Sequence, residues 1–411
     1  MQRSFEEKAL HYHAAGQPGK IAIQVTKTVA SQDDLALAYS PGVAAPCLAI
    51  QRDPARAYEF TAKGNLVGVI TNGTAVLGLG DIGALAGKPV MEGKVVLFKK
   101  FAGIDAFDIE IDETDPEKLV EIIAALHPTF GGINLEDIKA PECFYVEQRL
   151  RERLSIPVFH DDQHGTAIVV AAGLLNAVHL SGRDITQVKL VCSGAGAAAM
   201  ACLDMLVDIG VPRHNIFVCD SSGVLTTHRT LTPEKAVWAQ ESTARTLSDV
   251  IASADVFLGL SGPGVLGQAD VQKMAPRPII FALANPEPEL RPELIREVAT
   301  DAIIATGRSD YPNQINNALC FPYLFRAALD CGAVTINQSM QRACVTALAE
   351  MARGDAHFGS EYIIPTLLDA RLLPGVTPQI VAAAVSSGVA SRVLEEAAYI
   401  RGLVALAATL I

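Results

Sequence analysis

Short unbroken apolar runs punctuate this chain, separated by longer stretches with helical spacing. Leu66-Val-Gly-Val-Ile70 and Lys94-Val-Val-Leu-Phe98 are runs of the first kind, and they predict strands buried on both faces. Thr129 to Leu135 and Pro157 to Phe159 predict two further short strands. Between them a helix is predicted over Pro116–Leu126. Asp115 caps it, Pro116 suits its first turn, and Leu119, Ile122, Ile123 and Leu126 share one face. From about residue 184 the pattern becomes a regular alternation. Strands are predicted at Val188–Cys192, Ile216–Cys219, Val256–Leu258, Ile279–Phe281 and Ala302–Ile304, with helices over 196–210 and 246–252. Such alternation implies right-handed βαβ units and a parallel sheet covered on both faces. Residues 1–35 read as helix and loop, with a break at Pro18-Gly19. Residues 317–411 read as mostly helical, with a loop around Gly354–Pro378. The fold class is α/β: an N-terminal α/β domain over 1–163, then a Rossmann-like, doubly wound domain with C-terminal helices over 164–411.

Composition narrows the picture. A chain of 411 residues exceeds one typical core, which agrees with two domains. Half the residues are hydrophobic and 19% are charged, so extensive disorder is excluded. A net charge of −12 disfavours nucleic acid as a partner. The eight cysteines form no CxxC pair and imply neither a zinc site nor a disulfide framework, which points to reduced thiols in the cytoplasm. The N-terminus lacks the apolar stretch of a signal peptide. Residues 163–182 carry no Asp, Glu, Lys or Arg and are long enough to span a bilayer. Gln163, His164, Asn176 and His179 favour a buried core helix instead. Gly402 to Ile411 carry no charge; they are expected to pack internally or at a subunit interface, unless the natural chain continues.

Candidate chemistry lies at the ends of the apolar runs. Glu136-Asp137 follows one predicted strand and Asp161-Asp162 another. Either pair alone is ordinarily a solvated turn or a helix cap. Brought to one edge, four carboxylates suit a hard divalent cation, Mg²⁺ or Mn²⁺, better than the zinc that His160 and His164 would suggest. Two stretches match the dinucleotide fingerprint. Gly194-Ala-Gly-Ala-Ala-Ala199 follows a strand, opens a helix and precedes a second strand ending in Asp220, so Gly194, Gly196, Ala199 and Asp220 are placed at the cofactor. Gly78-Leu-Gly-Asp-Ile-Gly83 lacks that context and reads as a tight structural loop. Lys94 is a candidate base, since a partly buried lysine near a cation has a depressed pKa. Lys88, Lys99 and Lys100 are not distinguished from it by composition. Tyr39, in a turn at Ser40-Pro41-Gly42, is a candidate acid.

Taken in order, these segments resemble the malic enzymes. The matching stretches are Leu37-Ala-Tyr-Ser-Pro-Gly-Val43, Thr74 to Gly83, Met91-Glu-Gly-Lys94, Asn134-Leu-Glu-Asp137, Phe159 to Ala167, Ala284-Asn-Pro286 and Asn313-Gln-Ile-Asn-Asn317. The likeness is to the malic-enzyme portion of bacterial hybrid proteins that also carry a phosphotransacetylase-like domain. The resemblance implies Glu136, Asp137 and Asp162 as metal ligands, Lys94 as general base with Asp161 beside it, and Tyr39 as general acid. It implies Asn285 and Asn317 at substrate and nicotinamide. The implied reaction is oxidative decarboxylation of (S)-malate to pyruvate and CO₂, with NADP slightly favoured over NAD, in a homodimer or higher homo-oligomer. Two departures stand out. Where larger malic enzymes have a carboxylate-binding arginine, this chain has Asn72-Gly-Thr-Ala75. The hybrid group's extra domain does not follow, so acetyl-CoA control through it is expected to be absent. A metal-independent amino-acid dehydrogenase and a non-catalytic nucleotide-binding regulator are the competing readings. The first would not need the acidic pairs, and the second would not need Lys94 and Tyr39.

Overall fold

The computed structural model describes residues 4–410. It opens with four helices, α1 (Phe5–Ala14), α2 (Gln32–Ala38), α3 (Ala44–Arg52) and α4 (Ala57–Phe60). No described residue before Leu66 is buried. A four-stranded parallel sheet follows, built from β1 (Leu66–Thr71), α5 (Ala84–Ala102), β2 (Asp105–Glu110), α6 (Pro116–Leu126), β3 (Gly132–Leu135), α7 (Glu142–Arg153) and β4 (Val158–His160). Its strand order is β2-β1-β3-β4. The register matters for the site: Ile70 pairs with Leu135, and Leu135 pairs with His160. The two acidic pairs therefore leave adjacent strands at the same level, at their C-terminal ends.

The run Lys94–Phe98 is helical, which corrects the strand predicted there. Met91, Lys94, Val95, Phe98 and Ala102 are all buried and recur at i, i+3, i+4, i+7 and i+11, the stripe of one helix face. Four consecutive apolar residues fit either period; the longer pattern decides. Gly103 ends the helix in the left-handed conformation at φ 65°. Strand β2 was not anticipated, because Asp105-Ala-Phe-Asp-Ile-Glu110 carries three acids and reads as surface.

Beyond β4, α8 (Thr166–Ser181) runs through the core. It belongs to a helical stretch from Asp161 to Ser181 long and apolar enough to cross a membrane, yet most of that stretch is buried in the protein. Its polar Asn176 is satisfied there: it donates to the carbonyls of Ala349 (3.0 Å) and Ile363 (2.8 Å) and accepts from Arg353 Nε (2.7 Å). The second sheet comprises β5 (Leu190–Ser193), then after α9 (Ala197–Asp208) β6 (Ile216–Asp220), β7 (Gly223–Val224), β8 (Val256–Gly259), β9 (Ile279–Ala282) and β10 (Ile303–Thr306). Short helices α10 (Pro233–Ala236), α11 (Leu247–Val250), α12 (Gln268–Val271) and α13 (Pro292–Val298) lie in the connections. The order β10-β9-β8-β5-β6-β7 reverses direction at β5, with only β7 antiparallel. That is the doubly wound arrangement, and its crevice opens beyond the ends of β5 and β8.

Four helices close the chain: α14 (Phe321–Cys331), α15 (Gln338–Arg353), α16 (Leu372–Ser386) and α17 (Glu396–Leu410). The loop expected up to Pro378 ends earlier, and Pro378 lies inside α16. The part of α17 from Gly402 on, which carries no charge, buries Leu403 and Ala407, and Lys100 Nζ of α5 donates to the Leu410 carbonyl. One hydrophobic core joins both halves, taking in Val67, Phe98 and Phe159 together with Leu190, Phe281 and Phe325.

Candidate active site

Where β3 ends, Glu136 and Asp137 turn away from the sheet; where β4 ends, Asp161 begins a five-residue π-helical turn, Asp161–Gly165. Glu136 keeps the register one step further, its N–H donating to the Ile70 carbonyl at 2.9 Å. Asp137 then adopts φ 53°, and its carbonyl receives the N–H groups of Thr74 and Ala75 at 3.1 and 3.0 Å. Its own N–H donates to Asp162 Oδ2 at 2.8 Å, tying the two pairs together. One carboxylate oxygen from each of Glu136, Asp137 and Asp162 lies within 4.8 Å of the others.

Lys94 reaches into this cluster from α5. Its Nζ lies 2.6 Å from Asp161 Oδ2, 2.7 Å from Glu136 Oε1, and 4.4 Å above the centre of the Phe321 ring. Lys88 and Lys99 instead pair with Asp108 and Asp105, and Lys100 bonds the end of α17, so geometry separates Lys94 from its neighbours. Lys94, Glu136, Asp137 and Asp161 are buried, and Asp162 is partly open. Burial pushes the carboxyls of Glu136 and Asp161 up to about 7 and that of Asp162 to about 6, although Lys94 pulls each of them down. Burial also works to lower Lys94, but the charges of Asp161, Glu136 and Asp162 outweigh it and hold the ammonium above the usual lysine range. Three carboxyl groups surround the amine here; the depressed pKa expected from sequence is that of a lysine beside a bound cation.

The residues fit a hard divalent cation. The donors are all oxygen, and Asp161 Oδ1 and Asn134 Oδ1 are buried without a hydrogen-bond partner. Glu136, Asp137 and Asp162 are the residues that would hold it. The histidines do not join them. His164 Nε2 bonds Glu147 Oε2 at 2.8 Å, and His160 is buried and pushed down to about 4 by that burial, so it is neutral. Glu147 was missed in the sequence. It lies on the apolar face of α7 with Cys143, Val146 and Leu150, and a carboxylate on such a stripe signals a buried partner.

Asn317 opens a short 3-10 turn before α14. Its Cβ and Asp161 Oδ1 both crowd the face of Gly165 where a side chain would stand, at 3.0 and 2.0 Å from an added Cβ, which places Asn317 beside Asp161. Asn285 lies beyond β9, and its carbonyl would meet a Cβ on Gly78 at 2.5 Å. The 78–83 loop therefore abuts the Asn285 loop as a structural element. Asn72, in place of an arginine, bonds Thr74 Oγ1 at 2.7 Å. Tyr39 is the exception. It is 72% exposed, and among the described residues no hydrogen bond joins it to Lys94 or to the carboxylates.

At the second sheet Gly194 takes φ 119° with its α-carbon against the Leu260 carbonyl, and Gly196 precedes α9 facing open space. Ala199 is buried in the first turn of α9. Asp220 ends β6, bonded by both Arg229 (2.9 Å) and Lys235 (3.0 Å). Burial would raise it, but Lys235, the Ser222 N–H and Arg229 together hold it below the usual carboxylate range. Lys235, fifteen residues on, carried no signal of its own in the sequence.

A carboxylate cluster that fits a hard cation, with a buried lysine, thus shares one chain with a doubly wound sheet of the nucleotide-binding kind. The sequence model of the malic enzyme N-terminal domain matches residues 18–151, and that of the malic enzyme NAD-binding domain matches residues 163–397. The chain belongs to the malic enzyme family. It is 59% identical over 408 residues to an NADP-dependent malic enzyme of Escherichia coli, covering 95% of this chain and 54% of that one. It is 57% identical over 406 residues to an NAD-dependent malic enzyme of Rhizobium meliloti, covering 95% and 53%. The chain thus spans about half the length of these relatives. The crystal structure of a malic enzyme from Pyrococcus horikoshii superposes with a TM-score of 0.92 at 43% identity, covering 99% of this chain and 98% of that one.

Proposed function

We propose that the chain catalyses divalent-metal-dependent oxidative decarboxylation of (S)-malate to pyruvate and CO₂, with NADP⁺ favoured over NAD⁺. The observation that carries this is the contact of Lys94 Nζ with Glu136 and Asp161 beside a three-carboxylate oxygen cluster. A divalent cation there supplies Lewis-acid stabilisation of negative charge on the substrate's oxygens. The nicotinamide supplies the acceptor for hydride. Lys94, once neutral, takes the proton of the C2 hydroxyl. Glu136 is both its ion-pair partner and a cation ligand in this reading, so charge neutralised at Glu136 releases part of the hold on the Lys94 proton. Asp161 holds the amine in place. Asn317 and Asn285 orient the substrate and nicotinamide, and Tyr39 protonates C3 of the resulting enolpyruvate.

NADP⁺ is favoured because Asp220, the acid that would repel a 2′-phosphate, is already neutralised by Arg229 and Lys235. Gly194, Gly196 and Ala199 form the pyrophosphate turn. We put the division between substrate and cofactor halves at 163/164, one residue inside the second family match, which starts at residue 163. Eight free cysteines, seven of them buried, agree with a cytoplasmic enzyme.

The test is turnover of malate with NADP⁺ and Mn²⁺. Excess EDTA should abolish it, Mn²⁺ or Mg²⁺ should restore it, and Asp162→Asn should raise the metal concentration needed. Full activity in EDTA would refute the metal-assisted mechanism.

A further inference from the structure

Glu289 is a buried acid that the proposed chemistry leaves unused. It follows β9, in the connection to α13, and it is fully buried. A carboxylate taken out of water needs partners for both oxygens. Here they come from two different loops. Oε1 accepts the N–H of Ser261, just beyond β8, at 3.0 Å, and Oε2 accepts the N–H of Ala284, just beyond β9, at 3.0 Å. Burial pushes the carboxyl above its usual range, and these N–H groups work against that rise. Among the described residues no lysine or arginine pairs with it. Its main chain joins the same knot, because the Glu289 carbonyl accepts from Gly264 N–H at 3.0 Å. Room for the carboxylate comes from Gly259, the last residue of β8: a Cβ there would lie 2.4 Å from Glu289 Cδ.

The tied loops border the nucleotide crevice. Leu260 N–H donates to the Ser193 carbonyl at 2.7 Å, and the Ser261 and Ser193 hydroxyls lie 2.9 Å apart. The β8 loop is thereby joined to the end of β5, where the glycine turn begins. Ala284 directly precedes Asn285, whose carbonyl lies against Gly78. In a doubly wound sheet a dinucleotide lies across the switch point, one half over the strands on each side. Asp220 at the end of β6 marks the adenosine side, so β8 and β9 carry the nicotinamide side. We propose that Glu289 is the positioning residue for the nicotinamide half of the cofactor. Clamping the Ser261 and Ala284 N–H groups on one carboxylate fixes the spacing of the β8 and β9 loops, and through Ala284 it fixes the place of Asn285. A neutral amide in its place would offer one acceptor where two N–H groups wait, and would turn an NH₂ toward the other. The consequence for hydride transfer rests on the malic-enzyme reading; the clamp itself stands apart from that reading.

Two affinities decide it. NADP⁺ and 2′,5′-ADP, which lacks the nicotinamide half, are titrated calorimetrically into the full chain and into Glu289→Gln. The variant loses a hydrogen bond to a charged group on the nicotinamide side alone, so the Kd of NADP⁺ should rise at least about tenfold while that of 2′,5′-ADP stays unchanged. Turnover of malate should fall about 10²-fold in kcat, the cost of a reacting group misplaced by about 1 Å. An equal rise for both ligands would mean that the carboxylate only holds the domain together. An unchanged Kd for NADP⁺ would mean that the loops keep their spacing without it. Either result overturns the proposal. If NAD⁺ binds in preference, NAD⁺ and ADP replace the pair of probes. Where the glutamine variant does not fold, Glu289→Asp, which keeps the charge on a shorter arm, is read by the same two affinities. If the wild type turns over no malate, the malic-enzyme reading fails instead, and the two affinities still decide the positioning role.

Discussion

Lys94 sits in a balance that a cation would tip. Metal-free, the carboxyls of Glu136 and Asp161 keep protons to about pH 7 and Asp162 to about pH 6, whereas in an unfolded chain they release them near pH 4. Between those limits the folded protein binds more protons than the unfolded one, so metal-free stability falls as pH rises from about 4 to about 7. A cation competes for the same oxygens. Mn²⁺ should therefore raise the melting temperature more at pH 8 than at pH 5.5, read by differential scanning fluorimetry; an equal shift at both would show the ion binds elsewhere. The same reasoning applies at Asp220. Arg229→Ala or Lys235→Ala removes a charge-assisted bond worth about 1.5–3 kcal/mol, so NADP⁺ KM should rise roughly tenfold or more with NAD⁺ KM nearly unchanged. An equal loss for both cofactors would mean the pair only supports the β6 turn.

Elements place these residues, and there the sequence was legible in proportion to its periodicity. Helix α6 was readable from Asp115 and Pro116 at its start and from Leu119 and Ile123 on its buried face, although Ile122, expected on that face, is exposed and Val120 and Ala124 are buried instead. Strands β3 and β4 were readable as buried runs, and the acidic pairs as their exits. Lys94–Phe98 misled, because four apolar residues in a row erase the difference between period 2 and period 3.6. The convergence of Lys94 with Glu136 and Asp161 depends on strand register and on α5 crossing the sheet, which no local pattern carries. The turn after β4 is where this convergence is most exposed to test. Gly165→Ala would set a methyl 2.0 Å from Asp161 Oδ1 and 3.0 Å from Asn317 Cβ. Displacement of about 1 Å in such a site costs about 10²-fold. The variant should lose kcat by that order while still binding NADPH, measured by the reduced cofactor's fluorescence. Near-native kcat would mean the turn yields without moving Asp161.

At the scale of the whole molecule, two parallel sheets share one core, and their open ends supply the two halves of the chemistry. The carboxylates leave the C-terminal ends of β3 and β4, and the nucleotide turn leaves β5, as open parallel sheets dictate. Chain order, βαβ alternation and the glycine turn made that architecture visible in advance. The exposure of the N-terminal segment was not visible, because apolar spacing along a sequence does not tell a bare face from a packed one. The central claim is that the assembled site removes hydride and CO₂ from one substrate. It is tested most directly by stoichiometry: the purified chain with (S)-malate, Mn²⁺ and NADP⁺, following cofactor reduction, pyruvate and CO₂ together. One pyruvate and one CO₂ per reduced cofactor, with all three stopped by EDTA, is the predicted result; reduced cofactor without CO₂, or turnover that survives the chelator, would contradict it.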